Sequence, residues 1–472
     1  MDMSQAITHD TSPFSDPTRV ILFTQMPDTP HDRRTMLQVG SLGLLGLNQA
    51  DLLRAESENA QPATAKSVIL LFQFGGASHH DTFDMKPDAP VEYRGIWRPQ
   101  QTRVPGFEIT ELYPRQAKLT DKFSMIRSLH HDTGDHFAGG HRMLTTKNMG
   151  VSGGNNAGRF PSLGAIVAHQ RRHLPTTVPP YVSVPVASSI GLNPGYFAGN
   201  YLGVQYDPFQ TKGDPNAENF KVANLELASD MSIERLDDRQ SLLTELDKIP
   251  RAVENSGSFD ALDQFNQRAL SFVAGEKARI AFDISREDDK TREMYGRHGW
   301  GQSTLLARRL VEAGASFVTV HFGGWDHHWN LQSGYENNLP KVDAAVASLF
   351  TDLDQRGMLD STLVILCGEF SRTPRMNDGG NGGAPMSKGT PGRDHWGNSM
   401  FCLLGGGGVK GGQVIGSTNS KGESPQTRPV RPDNIHATIY KCLGMDPTLH
   451  ILDHSGRPTP VIEDPTAIEE LL

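Results

Sequence analysis

The sequence predicts an α/β protein, a three-layer sandwich around a mostly parallel sheet, and three observations carry that reading. The first is the stretch 67–74, SVILLFQF, an uninterrupted apolar run of strand length. Such a run suits a central parallel strand covered on both faces. The second is a strand–helix–strand unit over 317–367. Phe317, Val318, Thr319 and Val320 open it as a β-branched strand, and residues 341–356 carry Val342, Ala345, Val346, Leu349 and Leu353 at spacings of three and four. That spacing is the stripe of a core-facing helix. Residues 361–367 then return as a buried strand, which a right-handed crossover places parallel in the same sheet. The third lies just past two of the strands, where Gly75-Gly76 and Gly323-Gly324 each lead into Asp and His residues. Open α/β sheets bind their ligands beyond the carboxyl ends of their strands.

Residues 1–65 read as a targeting segment and linker, outside the fold. A polar, turn-rich start leads to Arg33 and Arg34, followed by a Gly-interrupted apolar stretch over 36–47. That stretch is too short to span a bilayer as a helix. The arrangement resembles a twin-arginine export signal, with Ala63-Thr64-Ala65 as a small-residue cleavage site. It implies an exported, periplasmic protein whose partner during export is the twin-arginine translocon. Past residue 66 no apolar run is long enough for a membrane helix, so no integral membrane segment is expected in the mature chain.

Residues 66–472 read as one domain. After the first strand come a short helix over 113–118 and a second strand over 123–126. An amphipathic helix follows over 161–174, a strand over 181–186 and a Gly/Pro-rich surface loop over 193–213. Polar, helix-favouring segments at 231–248 and 261–282 predict a helical insertion at about 215–300. A helix over 303–313 leads into the 317 strand, and Gly357 caps the helix before the 361–367 strand. The stretch 378–392 is a Gly-rich loop, 400–404 a further strand, 405–408 a glycine turn, and 432–443 a closing helix.

Composition excludes some functions. A net charge of −9 and the absence of any Lys/Arg block argue against a nucleic-acid partner. The three cysteines, Cys367, Cys402 and Cys442, form no CxxC pair, so neither a zinc knuckle nor a disulfide framework is suggested. The first two sit in apolar strand-like runs as small buried hydrophobes.

Asp/His clusters stand at four places: His79, His80, Asp81 and Asp84; His130, His131, Asp132, Asp135, His136 and His141; His321, Asp326, His327 and His328; and Asp394 with His395. Carboxylate and neutral imidazole are the donors that zinc and manganese prefer. After the 361–367 strand, GEFSRTP and the residue that follows it add Glu369, Arg372 and Arg375, the arginines being suited to bidentate contacts with an anion.

The segment KVDAAVASLFTDLDQRGMLDSTLVILCGEF resembles the alkaline phosphatase and sulfatase superfamily, in which a helix of the form VDxAVxxLLxxLxxxG precedes a strand and a metal-binding Asp-His. Glu369 stands where that superfamily has Asp, and Phe370 where it has His. HRMLTTK is similar to its helix ending in LLTG. GGWDxH, GEFxRTP and GxDHWG together resemble a twin-arginine-exported, domain-of-unknown-function branch. The resemblance implies an alkaline-phosphatase-like fold with one or two divalent ions (zinc, calcium or manganese). It implies Asp326 and His328 as ligands of one ion with His395 completing that site, while Glu369 and Asp81 or Asp84 bridge or build a second. The superfamily's nucleophile position falls near His136. No Cys or Ser stands there and no CxPSR motif exists, which leaves Thr133 as the nearby hydroxyl.

The expected function is therefore an exported, metal-dependent hydrolase of sulfate or phosphate esters. Its partner would be a small anionic ester or a sulfated or phosphorylated glycan, with His136, Thr133 and Arg372 in catalytic roles. The alternative is a non-catalytic metal- or glycan-binding protein on the same fold. A phosphomutase-like transferase is a third reading, and it lacks a phosphate acceptor residue.

Overall fold

The computed structural model describes residues 62–148, 160–189, 191–192, 194–222, 275–377 and 390–472. The twin-arginine segment, positions 223–274 of the helical insertion and most of the Gly-rich loop lie outside the described residues.

Ten strands build the main sheet and a small ladder beside it: β1 (Ser67–Gln73), β2 (Phe123–Leu129), β3 (Tyr181–Val184), β4 (Phe209–Gln210), β5 (Phe317–Phe322), β6 (Thr362–Gly368), β7 (Ser371–Arg372), β8 (His395–Trp396), β9 (Met400–Gly405) and β10 (Val414–Ile415). Among the described residues seven α-helices accompany them: α1 (His136–Thr145), α2 (Leu163–Gln170), α3 (Glu276–Phe282), α4 (Asp289–Tyr295), α5 (Gly299–Glu312), α6 (Leu331–Gln355) and α7 (Pro432–Cys442). The main sheet has eight strands in the order β10-β2-β9-β6-β1-β5-β3-β4. β1 lies at its middle, paired in parallel with β5 and β6. Every pair in this sheet is parallel except those of β9, which runs antiparallel to both β2 and β6. The expected α/β class with a mostly parallel sheet is the observed one.

Strand alternation divides the core into two layers, as the two-residue period of a strand requires. On one face Ile69, Leu71, Val318, Val320, Val364 and Leu366 pack with Leu305, Leu306 and Leu310 of α5 and Val342, Val346 and Leu349 of α6. On the other, Val68, Leu70, Phe72, Leu363 and Ile365 pack with Ile166 and Val167 of α2 and Ile435 and Ile439 of α7. Both faces of β1 are covered, so all seven of its residues are buried.

Several boundaries differ from the sequence reading. The expected 113–118 helix is a 3₁₀ segment at Gln116–Lys122. Tyr113 is buried, and the Asp343 carboxylate on α6 accepts from the Arg115 and Gln116 amides, both at 2.9 Å, fixing the chain there. The 193–213 loop contributes β4 to the sheet edge, a two-residue strand too short to leave a period. α6 starts at Leu331, ten residues before the predicted 341, and runs through Pro340. Leu331, Tyr335 and Leu339 continue its buried face, so packing outweighs the hydrogen bond that proline forfeits. No described helix is long and apolar enough to cross a membrane.

Candidate metal centre

The centre forms where β1, β5 and β6 end on one edge of the sheet. Gly75, at φ +101°, turns the chain after β1, and a Cβ there would stand 2.6 Å from the Asp326 amide nitrogen. The bare backbone therefore lets the 325–326 segment close against β1, where the Trp325 amide donates to the Phe74 carbonyl at 3.1 Å. Trp325 is fully buried, with the Tyr335 ring edge-on at 5.3 Å and Trp300 stacked at 5.7 Å. That anchor sets Asp326, its neighbour, at the sheet edge with a half-exposed side chain.

His395 arrives by a different route. It lies in β8, which pairs with β7 so that His395 is opposite Arg372. β9 follows β8 and runs against the parallel strands, so it begins at the edge where β1, β5 and β6 finish. The antiparallel strand is what carries a residue 69 positions beyond Asp326 to the same place.

Three atoms meet at the centre. Asp326 Oδ1 lies 2.9 Å from His395 Nε2 and 3.0 Å from His328 Nε2, and the two imidazole nitrogens are 3.0 Å apart. The outer nitrogens are already committed. His395 Nδ1 donates to the Gly134 carbonyl at 2.7 Å, and His328 Nδ1 donates to Asp394 Oδ1 at 2.6 Å. A carbonyl only accepts, so the inward nitrogen of neutral His395 carries a lone pair. Burial opposes charge on His395 and, despite Asp326, holds its pKa below the usual imidazole value. Contact with Asp326 raises that of His328, against its burial. Three lone-pair atoms thus converge with at most one proton among them, a deficit that a cation at their centre removes. Their spacing is close to the roughly 3.3 Å expected between ligands around tetrahedral zinc. A second imidazole nitrogen bonded to carboxylate or carbonyl is the usual support of a metal-bound histidine.

His136, the first residue of α1, closes the other side. Its Nε2 is 3.4 Å from Asp326 Oδ2 and its Nδ1 is 2.9 Å from Glu369 Oε1. Burial works against a charge on this ring, but hydrogen bonds to Asp326 and Glu369 prevail and raise its pKa to about 9. For Asp326, burial is likewise overcome by His136, His328, His395 and Arg372, which hold it well below the usual carboxylate range. His136, Asp326 and His395 offer ligand atoms that all lie within 4.8 Å of one another. Glu369 is fully buried: Oε1 also accepts the Gly75 amide at 2.7 Å, and Oε2 has no hydrogen-bond partner among the described residues. Phe370 stacks on His395 at 4.4 Å and walls the site on that side.

Of the residues singled out from the sequence, Asp326, His328, His395, His136 and Glu369 come together here. Arg372 reaches the centre as a clamp. It is fully buried, bonds Asp326 Oδ1 at 2.7 Å, and commits its other N–H groups to the carbonyls of Gly75, Gly76 and Arg393. Thr133 lies in the turn before α1, its hydroxyl accepting the Asp135 amide at 3.1 Å. Asp81 and Asp84 spend their oxygens elsewhere. Asp81 pairs with buried Arg393 at 2.9 Å and accepts from Ser78 and the Ile96 amide. Asp84 pairs with Lys86 at 3.1 Å and accepts from Thr418. His79 and His80 bond the carbonyls of Gly422 and Lys421, so this first cluster holds neighbouring chain in place. Neither the support that Asp394 gives His328 nor the wall that Phe370 forms is legible in the sequence. The Asp-His dipeptide at 394–395 was visible, but nothing in it says that both residues reach His328 from opposite sides.

The family model described as "Protein of unknown function (DUF1501)" matches residues 65–472. Nothing among the curated proteins matches the chain. Solved structures similar to it include the lipoteichoic acid synthase LtaP from Listeria monocytogenes, at 10% identity and a TM-score of 0.37, over 86% of this chain and 77% of that one. The PsFucS1 sulfatase from Pseudoalteromonas sp. is similar at 14% identity and a TM-score of 0.34, over 88% and 72% of the two chains. The alkaline phosphatase from the Antarctic bacterium TAB5 is similar at 11% identity and a TM-score of 0.33, over 73% and 92%.

Proposed function

Because this chain belongs to the DUF1501 family, its activity has to be read from its own site, and we propose that it is a metal-dependent hydrolase of sulfate or phosphate esters acting outside the cytoplasm. One observation carries the proposal. Asp326 Oδ1, His328 Nε2 and His395 Nε2 face one another at 2.9–3.0 Å. Two imidazoles and a carboxylate suit zinc or manganese better than calcium, which collects six to eight oxygens. A divalent ion held there supplies Lewis acidity to an ester oxygen.

The chain's own residues do the rest. Asp394 and the Gly134 carbonyl hold the two imidazoles in the required tautomer. Arg372 fixes Asp326 and supports its charge. His136, positive between two carboxylates, places a cationic edge beside the anionic ester. The substrate class we read from this is a small anionic ester, sulfated or phosphorylated glycans included. Export rests on the Arg33-Arg34 segment.

A second reading, a metal- or glycan-binding protein without turnover, is favoured by a specific feature. Where the superfamily resemblance expects a nucleophile, His136 has both ring nitrogens on carboxylates, and the Thr133 hydroxyl is turned to the Asp135 amide. Calorimetric titration with zinc and manganese, together with assays on aryl phosphate and aryl sulfate esters, separates the two. Uptake of an ion with metal-dependent turnover, both lost in Asp326→Asn, supports the hydrolase. Uptake without turnover of either ester supports binding alone, and no uptake removes the hydrolase and metal binding together, leaving only a glycan-binding role.

A further inference from the structure

We infer that Cys367 and Cys402 are a cross-strand dithiol that closes to a disulfide by exchange with a small-molecule disulfide. The register of β6 and β9 pairs Leu366 with Leu403, Ile365 with Leu404 and Val364 with Gly405. Continued by one residue, it sets Cys367 opposite Cys402. Directly opposed residues of an antiparallel pair have Cα atoms about 4.5 or 5.5 Å apart and side chains on the same face. Both spacings fall in the range a disulfide spans, roughly 4.4–6.8 Å. Both cysteines belong to the same core layer, whereas Leu366 and Leu403 belong to the opposite one, so the two thiols do share a face. Burial, and after it the neighbouring Cys367 thiol, push the Cys402 thiol up.

The step balances as ordinary exchange. One cysteine thiolate attacks the small-molecule disulfide and displaces one thiolate. The second cysteine then attacks the mixed disulfide and displaces the other. Two S–H bonds are lost, one S–S bond forms, and the oxidant leaves as two thiols carrying the two protons. Both cysteines are buried, so exchange takes place while the chain folds or opens. The bridge joins the strand that leads into Glu369 to the strand that follows His395, tying together two supports of the candidate metal centre. The inference does not depend on which ester is hydrolysed, or on whether any is.

The test is a thiol count. The full chain is refolded from denaturant in a glutathione redox buffer and, in parallel, in excess reduced thiol; both samples are then denatured, titrated and peptide-mapped. The oxidised sample is expected to show one free thiol, Cys442, a mass lower by about 2 Da, and a peptide joining positions 367 and 402. Three free thiols in the oxidised sample, or a link through Cys442, overturns the inference. A Cys442→Ser chain, expected to show no free thiol after oxidation, checks the partner assignment. Chain recovered directly from an oxidising compartment and mapped without refolding makes the test independent of refolding yield: a 367–402 peptide supports the bridge, and free thiols at both positions overturn it.

Discussion

Each histidine at the centre is defined less by its own position than by what holds its outer nitrogen. His328 is aimed by Asp394, whose backbone is pinned by Thr373 through an N–H to its carbonyl at 2.8 Å and a hydroxyl accepting its amide at 3.0 Å. Asp394→Asn keeps the volume but removes the charge that favours the Nδ1–H tautomer. Metal affinity is expected to fall about 10–100-fold, with little change in melting temperature. His395→Ala deletes one of the proposed ligands, and the expected result is loss of bound metal and of any esterase activity together. His321 provides the contrast. It stacks on Phe74 at 4.1 Å from within β5, and burial lowers its pKa to about 4. His321→Ala is expected to lower stability by about 1–3 kcal/mol through lost packing while metal content stays at the wild-type value. Equal metal content in wild type and His395→Ala would place the site elsewhere.

Among the elements, two devices hold the sheet edge and the helices behind it. The turn after β1 depends on Gly75, where φ is +101° and a Cβ would collide with backbone rather than with a movable side chain. Gly75→Ala therefore has to displace Asp326. It is expected to cost at least about 1–2 kcal/mol and to weaken metal binding, whereas alanine at an ordinary exposed site does neither. Behind the sheet, Arg308 of α5 is 1% exposed and pairs with Glu287 at 2.7 Å, Glu312 at 2.6 Å and Asp352 of α6 at 2.9 Å. Arg308→Met leaves Glu287 and Asp352 largely buried, with Arg309, Arg356 and the Tyr295 hydroxyl as their remaining partners among the described residues. The expected loss is about 3–5 kcal/mol in chemical denaturation, with metal stoichiometry retained. A loss under about 1 kcal/mol would mean that the two remaining arginines take over the network.

For the whole molecule, buried neutral histidines set the acid limit. His79, His131 and His436 are buried, and burial, partly offset by hydrogen bonds or nearby acids, brings each pKa down to about 4. The unfolded value is about 6.5. As pH falls below that, the unfolded chain takes up protons first, so stability declines from about pH 6.5 to 4 and this contribution is gone below. Each histidine adds at most about 1.4 kcal/mol per pH unit in that window. Denaturant midpoints are expected to drop steeply from pH 6.5 to 4, and His436→Gln, which keeps a donor for the Met143 carbonyl, should flatten the curve. An unchanged slope in that variant would show that other groups govern acid unfolding. Export also belongs to this scale: Arg33→Lys with Arg34→Lys is expected to leave the chain in the cytoplasm, and fractionation of cells expressing the double variant measures it.

What the sequence determined by itself was the class of fold and the kinds of residue that stand at the strand ends. Apolar runs of strand length and a three-and-four stripe are local consequences of burying two sheet faces, so β1, β5, α6 and β6 are legible one at a time. Asp326 and His328 are two residues apart on one turn, which makes their pairing legible too. The superfamily resemblance named His395, but only the tertiary structure supplies the means: β9 runs antiparallel, and that reversal starts it at the edge where its neighbours end. The same structure turned Asp81 and Asp84 to Arg393, Lys86 and Thr418 and spent Arg372 on carbonyls and Asp326, although their residue types suit metal or anion equally well. A side chain's chemistry is carried in its letter. Its partner is set by which backbone closes on it, and that depends on contacts hundreds of residues apart.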